Sequence, residues 1–462
     1  MSLRFRRHAS PLGVFFLALP LACAQSLDVA GTLPEAYLPG LKTILQNALR
    51  QSPQIILKEI EIEQSVARTT VVNAQRLPGL GGHLDYAGNQ TAISGNTQTY
   101  DRNSGFFYSL GLNQALFHWG ALKNQTNIAK IGVLIAEKSH AEAYRALAVS
   151  LRRGYLDLVV KKMVLRNGRL ALDRLKADLD LTKEKFLRGE IAEGEVGGLQ
   201  LNFDDVALQL ARAETEFANT RLTFAHLVGM KDLSEAELPS AIPKPAYPAA
   251  MASALLAGLL RDGGKGTFMA QVSALHVQEA ELSYRIARVR LLPKFNATAG
   301  YSLQNTTNAT QSFVSQTGVA TQSVGVTAQW NMFDGFATRG EKQGAMASKR
   351  FYERQLQSNA EAALDQAQML QRELDLDVRM MASSEQRRGL AELGAKRIKE
   401  EVELGTAPES AINLATAEVY ARETNEAAAR AALLARWSEF VSLAGVDPVL
   451  NNIPARYVRE KR

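Results

Sequence analysis

Alternating apolar and polar residues mark two stretches of the chain, and each stretch leads directly into a long helical pattern. Residues 105–120 read GFFYSLGLNQALFHWG, with an apolar side chain at every second position except Gln114. Residues 323–335 read SVGVTAQWNMFDG and alternate in the same way. This period of two predicts strands with one apolar and one polar face. The chain therefore contains the same strand-to-helix transition twice.

An internal duplication accounts for this recurrence. Four pairs of matching landmarks share one offset to within a single position: Phe117 and Phe333, Gly189 and Gly405, Gly229 and Gly445, and Pro78 and Pro293. The repeat is far longer than that of a solenoid, so it indicates two half-molecules.

Each half is predicted to contain a leading helix, two strands, a long helix and a return helix. In the first half the predicted elements are a helix over 37–76, a strand after Pro78, a strand that begins at 105, and helices over 118–188 and 190–228. In the second half they are a helix over 250–292, strands over 294–303 and 323–333, a long helix to about 404 and a return helix to 443. The polar stretch 90–103 predicts a solvated loop. A helix over 118–188 would be about 105 Å long and the return helix about 60 Å, so we expect the leading and return helices to stack end to end beside it. That makes four strands and four full-length helical columns per chain.

The N-terminal segment 1–24 has the composition of an export signal. A basic segment at 4–7 precedes an apolar run at 11–21 that is too short to span a bilayer as a helix, and residues 22–24 form a small-x-small cleavage pattern. Cys23, the only cysteine, is either a small residue before the cut or the lipidated first residue of a lipoprotein. In either case the sequence predicts no disulfide.

Proline placement sets the remaining boundaries. Four prolines crowd the segment LPSAIPKPAYP at 238–248, which predicts an extended linker. We predict a signal peptide at 1–24, a first structural repeat at 25–229, a linker at 230–249, a second repeat at 250–446 and a tail at 447–462.

Composition and motifs argue against several classes of function. The net charge of +6 falls to +3 without the three arginines of the signal, which is too little to indicate a nucleic-acid partner. The six histidines are scattered, no GxSxG is present, and DGGKGT at 262–267 departs from the phosphate-loop pattern. We therefore expect no enzyme, no cofactor and no metal site. Past the signal no apolar run is long enough to span a bilayer as a helix, so membrane-spanning segments would have to be strands.

Glycines predict the turns that end the two longest helices. Gly189 and Gly405 each interrupt a helical pattern, and glycine tolerates the left-handed conformation that follows a helix end. Glu193 and Glu409 each lie four positions after one of these glycines, and Glu195 adds a second acid in the first half. These acids are either favoured at helix starts by the helix dipole or form an acidic ring around a narrow mouth.

In the order of these motifs the sequence resembles the TolC-type outer-membrane efflux proteins, over nearly the whole mature chain. The shared motifs are the Leu-Pro that ends each leading helix, the strand exits at 116–120 and 332–335, the Gly-Thr-Ala at 405–407 before an Ala-rich helix, and the Leu-x-Gly closings at Gly229 and Gly445. None of these motifs is specific for the family when taken alone. Their order along the chain, together with the internal duplication, is specific.

The resemblance implies a mainly α fold with a membrane β-barrel portion: a homotrimer whose β-barrel lies in the outer membrane and whose long α-helical barrel lies in the periplasm. It implies an exit duct of a tripartite efflux or type I secretion system, with a periplasmic adaptor (membrane fusion) protein and an inner-membrane transporter as partners. The turn residues Arg188, Gly189, Leu404 and Gly405 are then candidate adaptor contacts, and Glu193, Glu195 and Glu409 candidate residues of the periplasmic aperture.

Strand number also favours several chains. Four strands cannot close a membrane barrel, since spanning barrels start at eight. Eight strands from two chains leave an interior filled by side chains, so an open conduit requires at least three chains.

The sequence departs from the family pattern at both a strand exit and a helix turn. His118-Trp119 stand where the family usually has Asp-Gly, and Ala411 and Leu414 stand where some members carry aspartates that ring the closed mouth. A gating role for such aspartates therefore does not transfer. The alternative function is a periplasmic coiled-coil scaffold or adaptor without a pore, but that class has no need for amphipathic strands joined twice to such long helices.

Overall fold

The element order repeats in the two halves of the chain. The structure is a computed structural model that describes residues 29–93, 99–310, 313–408 and 410–453. The predicted signal peptide with Cys23, the acid Glu409 and the basic residues after 453 lie outside the described residues. The first half contains α1 Pro34–Tyr37, α2 Pro39–Gln51, α3 Pro53–Ala74, β1 Gly79–Ile93, β2 Thr99–Phe117, α4 Ala121–Leu187 and α5 Glu193–Val228. The second contains α6 Ala249–Asp262, α7 Phe268–Arg288, β3 Lys294–Ala309, β4 Val314–Gln329, α8 Ala337–Glu403 and α9 Ser410–Leu443.

Both leading helices are interrupted, contrary to the continuous helices that were predicted. In the first half Ser52 is extended and Pro53 begins α3, because proline disfavours helical geometry in the residue before it but fits the first helical position. In the second half Gly263 and Gly264 adopt left-handed conformations, with φ of +65° and +73°, and end α6.

The strands are longer than predicted and end at different residues. The prediction of a loop over 90–103 was wrong, because β1 and β2 remain paired as far as Ile93 and Thr99. The hydrogen bonds that pair two strands come from the backbone. A strand can therefore continue through residues with polar and hydroxyl side chains when both of its faces are exposed. Likewise β4 begins at Val314, well before the predicted start at Ser323, and ends at Gln329, since the chain turns sharply soon afterwards.

The helices form four adjacent columns. Helix α4 packs against α3 and α5 on one side and against α7 and α9 on the other, and α8 packs against α7 and α9. Both α4 and α8 contain 67 residues and are therefore about 100 Å long. The order across the protomer is α3 with α5, then α4, then α7 with α9, then α8.

The shorter helices meet end to end within a column, as predicted. The C-terminus of α5 abuts the start of α3: a Cβ added to Gly229 would lie 2.5 Å from the carbonyl oxygen of Gln51. The end of α9 and the start of α7 line one cavity of about 640 Å³, which includes Leu443 and Phe268.

A buried ion cluster at mid-length ties the two ends of the described chain to α4. Arg152 is fully buried and donates from Nη2 to Glu35 Oε1 at 2.6 Å and from Nη1 to Asp447 Oδ2 at 2.5 Å. Asp447 also accepts hydrogen bonds from the Ser442 hydroxyl and, at 3.1 Å, from the Val449 amide. Both oxygens of the Asp447 carboxylate therefore accept hydrogen bonds.

The charges of this cluster stabilise one another. Burial opposes ionisation of Asp447, but hydrogen bonds from Arg152 and Ser442 and the arginine charge outweigh it and hold the pKa of that carboxyl below its ordinary value. Burial also disfavours the charged form of Arg152, yet its two carboxylate partners raise the pKa of Arg152 above its ordinary value. Since the Asp447 pKa is lower in the folded state, its contribution to stability is present at neutral pH and is lost as pH falls through the folded pKa.

Removing the arginine should destabilise the protein strongly. Arg152→Met leaves Asp447 buried without its partner, so we expect a loss of about 3–5 kcal/mol in the free energy of unfolding. In the wild type, protonation of Asp447 should lower the free energy of unfolding as pH falls below neutral. The variant should not show this decrease, because Asp447 has lost its arginine partner. Chemical denaturation in detergent at several pH values measures both effects.

The neighbouring arginine is the matched control. Arg153 is 64% exposed and pairs with Glu439 at 2.7 Å, so Arg153→Met should cost less than about 1 kcal/mol. Equal effects of the two substitutions would mean that the buried cluster does not support the fold.

Candidate channel wall and helix tips

The four strands form one antiparallel sheet with two chemically different faces. The strand order is β1-β2-β3-β4, and residues opposite one another share a face. Leu112 lies opposite Leu80 and Ala299, and Ala299 lies opposite Val324. The apolar face thus contains Leu80, Leu84, Tyr86, Phe106, Tyr108, Leu110, Leu112, Ala297, Ala299, Tyr301, Leu303, Val324, Val326 and Ala328. Val324 is 90% exposed, so nothing within the protomer covers this face.

The opposite face is mostly small and polar; its large apolar exceptions are Phe107, which lies opposite Asp85 and Gln304, and Val319, which lies opposite Gln304. It contains Ser109, Gly111, Asn113, Asn296, Thr298, Gly300, Ser302, Gln304, Thr321, Ser323, Gly325 and Thr327. His83 and Asp85 on β1 are its main ionisable residues, together with Lys294 at the helical end. A sheet that is apolar on one side and hydrated on the other is suited to separate lipid from an aqueous lumen.

Gln114, which interrupts the apolar alternation, has a structural role. Its Nε2 donates to the carbonyl oxygen of Arg76 at 2.9 Å. The equivalent residue in the second half is Trp330, whose Nε1 donates to the carbonyl oxygen of Leu291 at 3.0 Å. In each half the end of the leading helix is therefore fastened to the outgoing strand. The polar donor at this position was not explained by the sequence pattern.

A β-bulge modifies the end of β2. The register shifts between Ala115 and Phe117, and Phe117 then pairs with Phe295 on the apolar face. The strict alternation through Leu116 that the sequence predicted is broken at this point, because a bulge places one extra residue in the strand.

The helix tips have the same turn in both halves. After α4, the amide of Glu190 donates to the carbonyl of Lys185 at 3.0 Å and that of Gly189 to Phe186 at 2.8 Å. After α8, Thr406 and Gly405 make the equivalent bonds to Glu401 and Val402. The glycines have φ of +75° and +71°, as a Schellman turn requires. The four tip residues named from the sequence thus lie in two equivalent turns.

The candidate aperture acids lie directly after the first tip. Glu193 and Glu195 occupy the exposed first turn of α5, and the tip itself contains an ion pair of 3.2 Å between Arg188 Nε and Glu190 Oε1. Glu409 lies outside the described residues. Within the described part of one chain, the two acids face solvent rather than a partner that would explain them.

Polar contacts between α4 and α9, in the halves of these helices that lead to the tips, were not predicted. Asn167 Nδ2 donates to the carbonyl of Tyr420 at 2.9 Å, and Arg166 pairs with Glu423 at 2.7 Å. Arg166 and Arg174 both lie against the Tyr420 ring, at 5.6 and 5.8 Å from its centroid. The partners in each contact come from different halves of the chain, so no local pattern could reveal them.

Other chemistry is sparse in the part of the chain that the structure describes. There, no group of His, Cys, Asp and Glu side chains is arranged to hold a metal ion. No described helix combines the length and apolar character needed to cross a bilayer.

An amphipathic sheet carried on four long helical columns is a fold that solved outer-membrane proteins share. The outer-membrane protein VceC of Vibrio cholerae shares the fold with a TM-score of 0.65 at 16% identity, over 89% of this chain and 98% of that one. The CmeC outer-membrane channel of Campylobacter jejuni gives a TM-score of 0.71 at 15% identity, over 90% and 88% of the two chains.

Sequence comparison gives a match over part of the chain. Residues 44–230 match the outer membrane efflux protein family. The pyoverdine export outer membrane protein OpmQ of Pseudomonas aeruginosa is 24% identical over 273 residues, a match that spans 57% of this chain and only 56% of that relative. Over residues 44–230 the chain is thus similar to the outer membrane efflux protein family, and as a whole it shares the fold of the two solved outer-membrane proteins.

Adjacent residues on β4 test which face meets lipid. Val326 lies on the apolar face and Thr327 on the polar face. Val326→Arg should cost about 2–4 kcal/mol if it lies near mid-bilayer, and should impair insertion. Thr327→Arg should insert normally and change conductance. Insertion is measured by outer-membrane fractionation and conductance in planar bilayers; equal outcomes would mean that the two faces are assigned wrongly.

Proposed function

We propose that the protein is the outer-membrane exit duct of a tripartite efflux or type I secretion system. It passes substrate passively from a periplasmic adaptor and an inner-membrane pump to the exterior. One observation carries the proposal. The amphipathic sheet, which has two open edges, continues directly into a row of helical columns that is also open at both sides. The export function in the name of OpmQ supports efflux for this chain as well.

Closure requires further copies of the chain. Strands β1 and β4 are the edges of the sheet, and each leaves backbone groups without partners that lipid cannot satisfy. At the helical level, the outer columns are α3 with α5 on one side and α8 on the other. These outer columns expose large apolar side chains: Ile56, Leu57, Ile60 and Val71 on α3, Leu201, Leu208 and Leu222 on α5, and Phe351, Met369, Leu376, Met380, Leu390 and Leu393 on α8.

Head-to-tail contact would satisfy both edges at once. If β1 of one protomer pairs with β4 of the next, the α3 and α5 column meets α8 along the same line, and a rotation of this kind closes into a ring. Three copies supply twelve strands, which exceeds the eight at which a barrel interior fills with side chains.

The helix tips are the proposed adaptor contact. They lie at the end of the helices farthest from the sheet, and Arg188, Gly189, Leu404 and Gly405 form exposed turns there. We also propose that Glu193 and Glu195, with Glu409 at the corresponding sequence position in the second half, surround the periplasmic mouth.

The first prediction from this model concerns assembly. The purified protein should be a trimer in detergent by mass measurement, fractionate with outer membranes, and show heat-modifiable mobility, because monomer edges are unstable in lipid. A stable monomer or dimer would contradict the channel. A soluble monomer would favour the scaffold alternative.

A second prediction concerns ion preference. Carboxylates around one axis attract cations, so Glu193→Gln combined with Glu409→Gln should lower cation selectivity in planar bilayers without changing trimer yield. Glu214→Gln is the matched control, because Glu214 is exposed on α5 about 30 Å from the tip and should leave selectivity unchanged. Unchanged selectivity in the double variant would make these acids ordinary helix-start residues.

A further inference from the structure

The polar face of the sheet contains one aromatic ring in a position where its neighbours are small. Among the paired strand residues that the structure describes, Phe107 is the only Phe, Tyr or Trp on that face. The residues next to it on the same face of β2 are Gly105 and Ser109, because side chains alternate between the faces of a strand. The ring therefore rises above a wall that is otherwise low and hydrated around it.

A row of four side chains crosses the sheet at the level of this ring. Asp85 lies opposite Phe107, Phe107 lies opposite Gln304, and Gln304 lies opposite Val319. The Cβ atoms of residues that lie directly opposite one another in an antiparallel sheet are about 5 Å apart. Asp85 is exposed, as is Val319 at 52%. The row thus presents a carboxylate, an aromatic ring, an amide and an aliphatic group side by side.

His83 holds one side of the ring. The centroids of the His83 and Phe107 rings are 6.0 Å apart, and the ring planes are inclined at 56°. His83 lies two residues before Asp85 on the same face of β1, so the ring lies beside both of them. Phe107 is only half-buried by these contacts, and part of its surface remains accessible.

The carboxylate of Asp85 has no cationic partner in the protomer. Within the described part of the chain no lysine or arginine forms an ion pair with it. The lysine on the same face, Lys294, lies ten positions along β3 from Gln304, which corresponds to about 33 Å. That distance exceeds the range over which charges interact in physiological salt, so Lys294 does not neutralise Asp85.

An aromatic ring beside an unpaired carboxylate suits one kind of ligand. The face of a phenylalanine ring attracts organic cations and stacks against other aromatic rings. A carboxylate a few ångströms away attracts the same cation and repels an anion. A molecule that combines an aromatic ring with a positive charge can use both groups at once, whereas an aromatic anion can use the ring alone.

We infer that the row of Asp85, Phe107, Gln304 and Val319 is a weak binding site for aromatic cations on the wall of the exit duct. The ligand ring lies against Phe107 and its cationic group lies beside Asp85. This inference rests on the proposed function, because it requires the polar face to line the lumen. Three chains in a closed ring would provide three such sites, so the substrate class that the duct favours is the amphipathic aromatic cation.

Saturation-transfer NMR with two matched probes tests the site on the purified protein in deuterated detergent. Benzyltrimethylammonium carries an aromatic ring and a positive charge, whereas benzenesulfonate carries the same ring and a negative charge. The apparent Kd of the wild type should be lower for benzyltrimethylammonium than for benzenesulfonate, because only the cation is attracted by Asp85.

Substitutions separate the contributions of the ring and the charge. Phe107→Ser should raise the apparent Kd for benzyltrimethylammonium about two- to fivefold, as expected for a cation–π contact at an exposed site. Phe107→Tyr retains the ring and should bind like the wild type. Asp85→Asn should raise the Kd for benzyltrimethylammonium without raising that for benzenesulfonate. Phe106→Ser is the matched control, because Phe106 lies on the opposite face and its loss should leave the Kd unchanged.

The outcomes that overturn the inference are distinct from those that overturn the channel. If the protein is a conducting trimer but Phe107→Ser binds benzyltrimethylammonium like the wild type, this inference alone fails. It also fails if Phe107→Tyr or Phe106→Ser weakens binding as much as Phe107→Ser does. If the protein is a stable monomer that does not conduct, the proposed function fails, and the assigned lumen site fails with it.

Discussion

The backbone of a strand in lipid must find hydrogen-bond partners in protein, and this requirement shapes the whole protomer. A four-stranded sheet has two unsatisfied edges, so it is viable only as a segment of a larger closed wall. The helical columns follow the same logic, because their outer members expose apolar rows on the sides where the sheet is also open. In the proposed assembly the protomer is one sector of a cylinder, and its exposed apolar rows are the surfaces that meet neighbouring copies.

The internal duplication supplies the same series of helices and strands twice, and the two halves differ at particular residues. Gln114 and Trp330 make the same hydrogen bond to the end of a leading helix, although one is an amide and the other an indole. At the strand exits an aromatic residue with a left-handed backbone, Trp119 in the first half and Phe336 in the second, differs by one position between the halves. Backbone geometry has thus been conserved between the repeats while the side chains that accompany it have changed.

Local rules were sufficient for much of the fold. The strand-to-helix transitions, the end-to-end stacking of short helices and the glycine turns at Gly189 and Gly405 follow from periodicity, length and φ preference. Strand ends and helix breaks were harder, since ladder pairing extended β1 and β2 through polar residues and Pro53 restarted a helix that periodicity joined. The Arg152 cluster and the bonds around Asn167 were inaccessible, because their partners lie far away in sequence and belong to no motif. Of the candidate tip residues, the turn geometry of Gly189 and Gly405 could be foreseen, whereas in the proposed assembly the environment of Glu193 depends on neighbouring copies.

The Arg152 cluster also bears on the order in which the molecule is completed. Its contact with Asp447 spans 295 residues, so it cannot form until almost the whole chain has been synthesised and exported. Until Asp447 is in place, Glu35 is the one carboxylate of this cluster that can pair with the Arg152 guanidinium. A chain truncated before Asp447 would retain the residues of the helical hairpins but would leave Arg152 with one carboxylate partner instead of two.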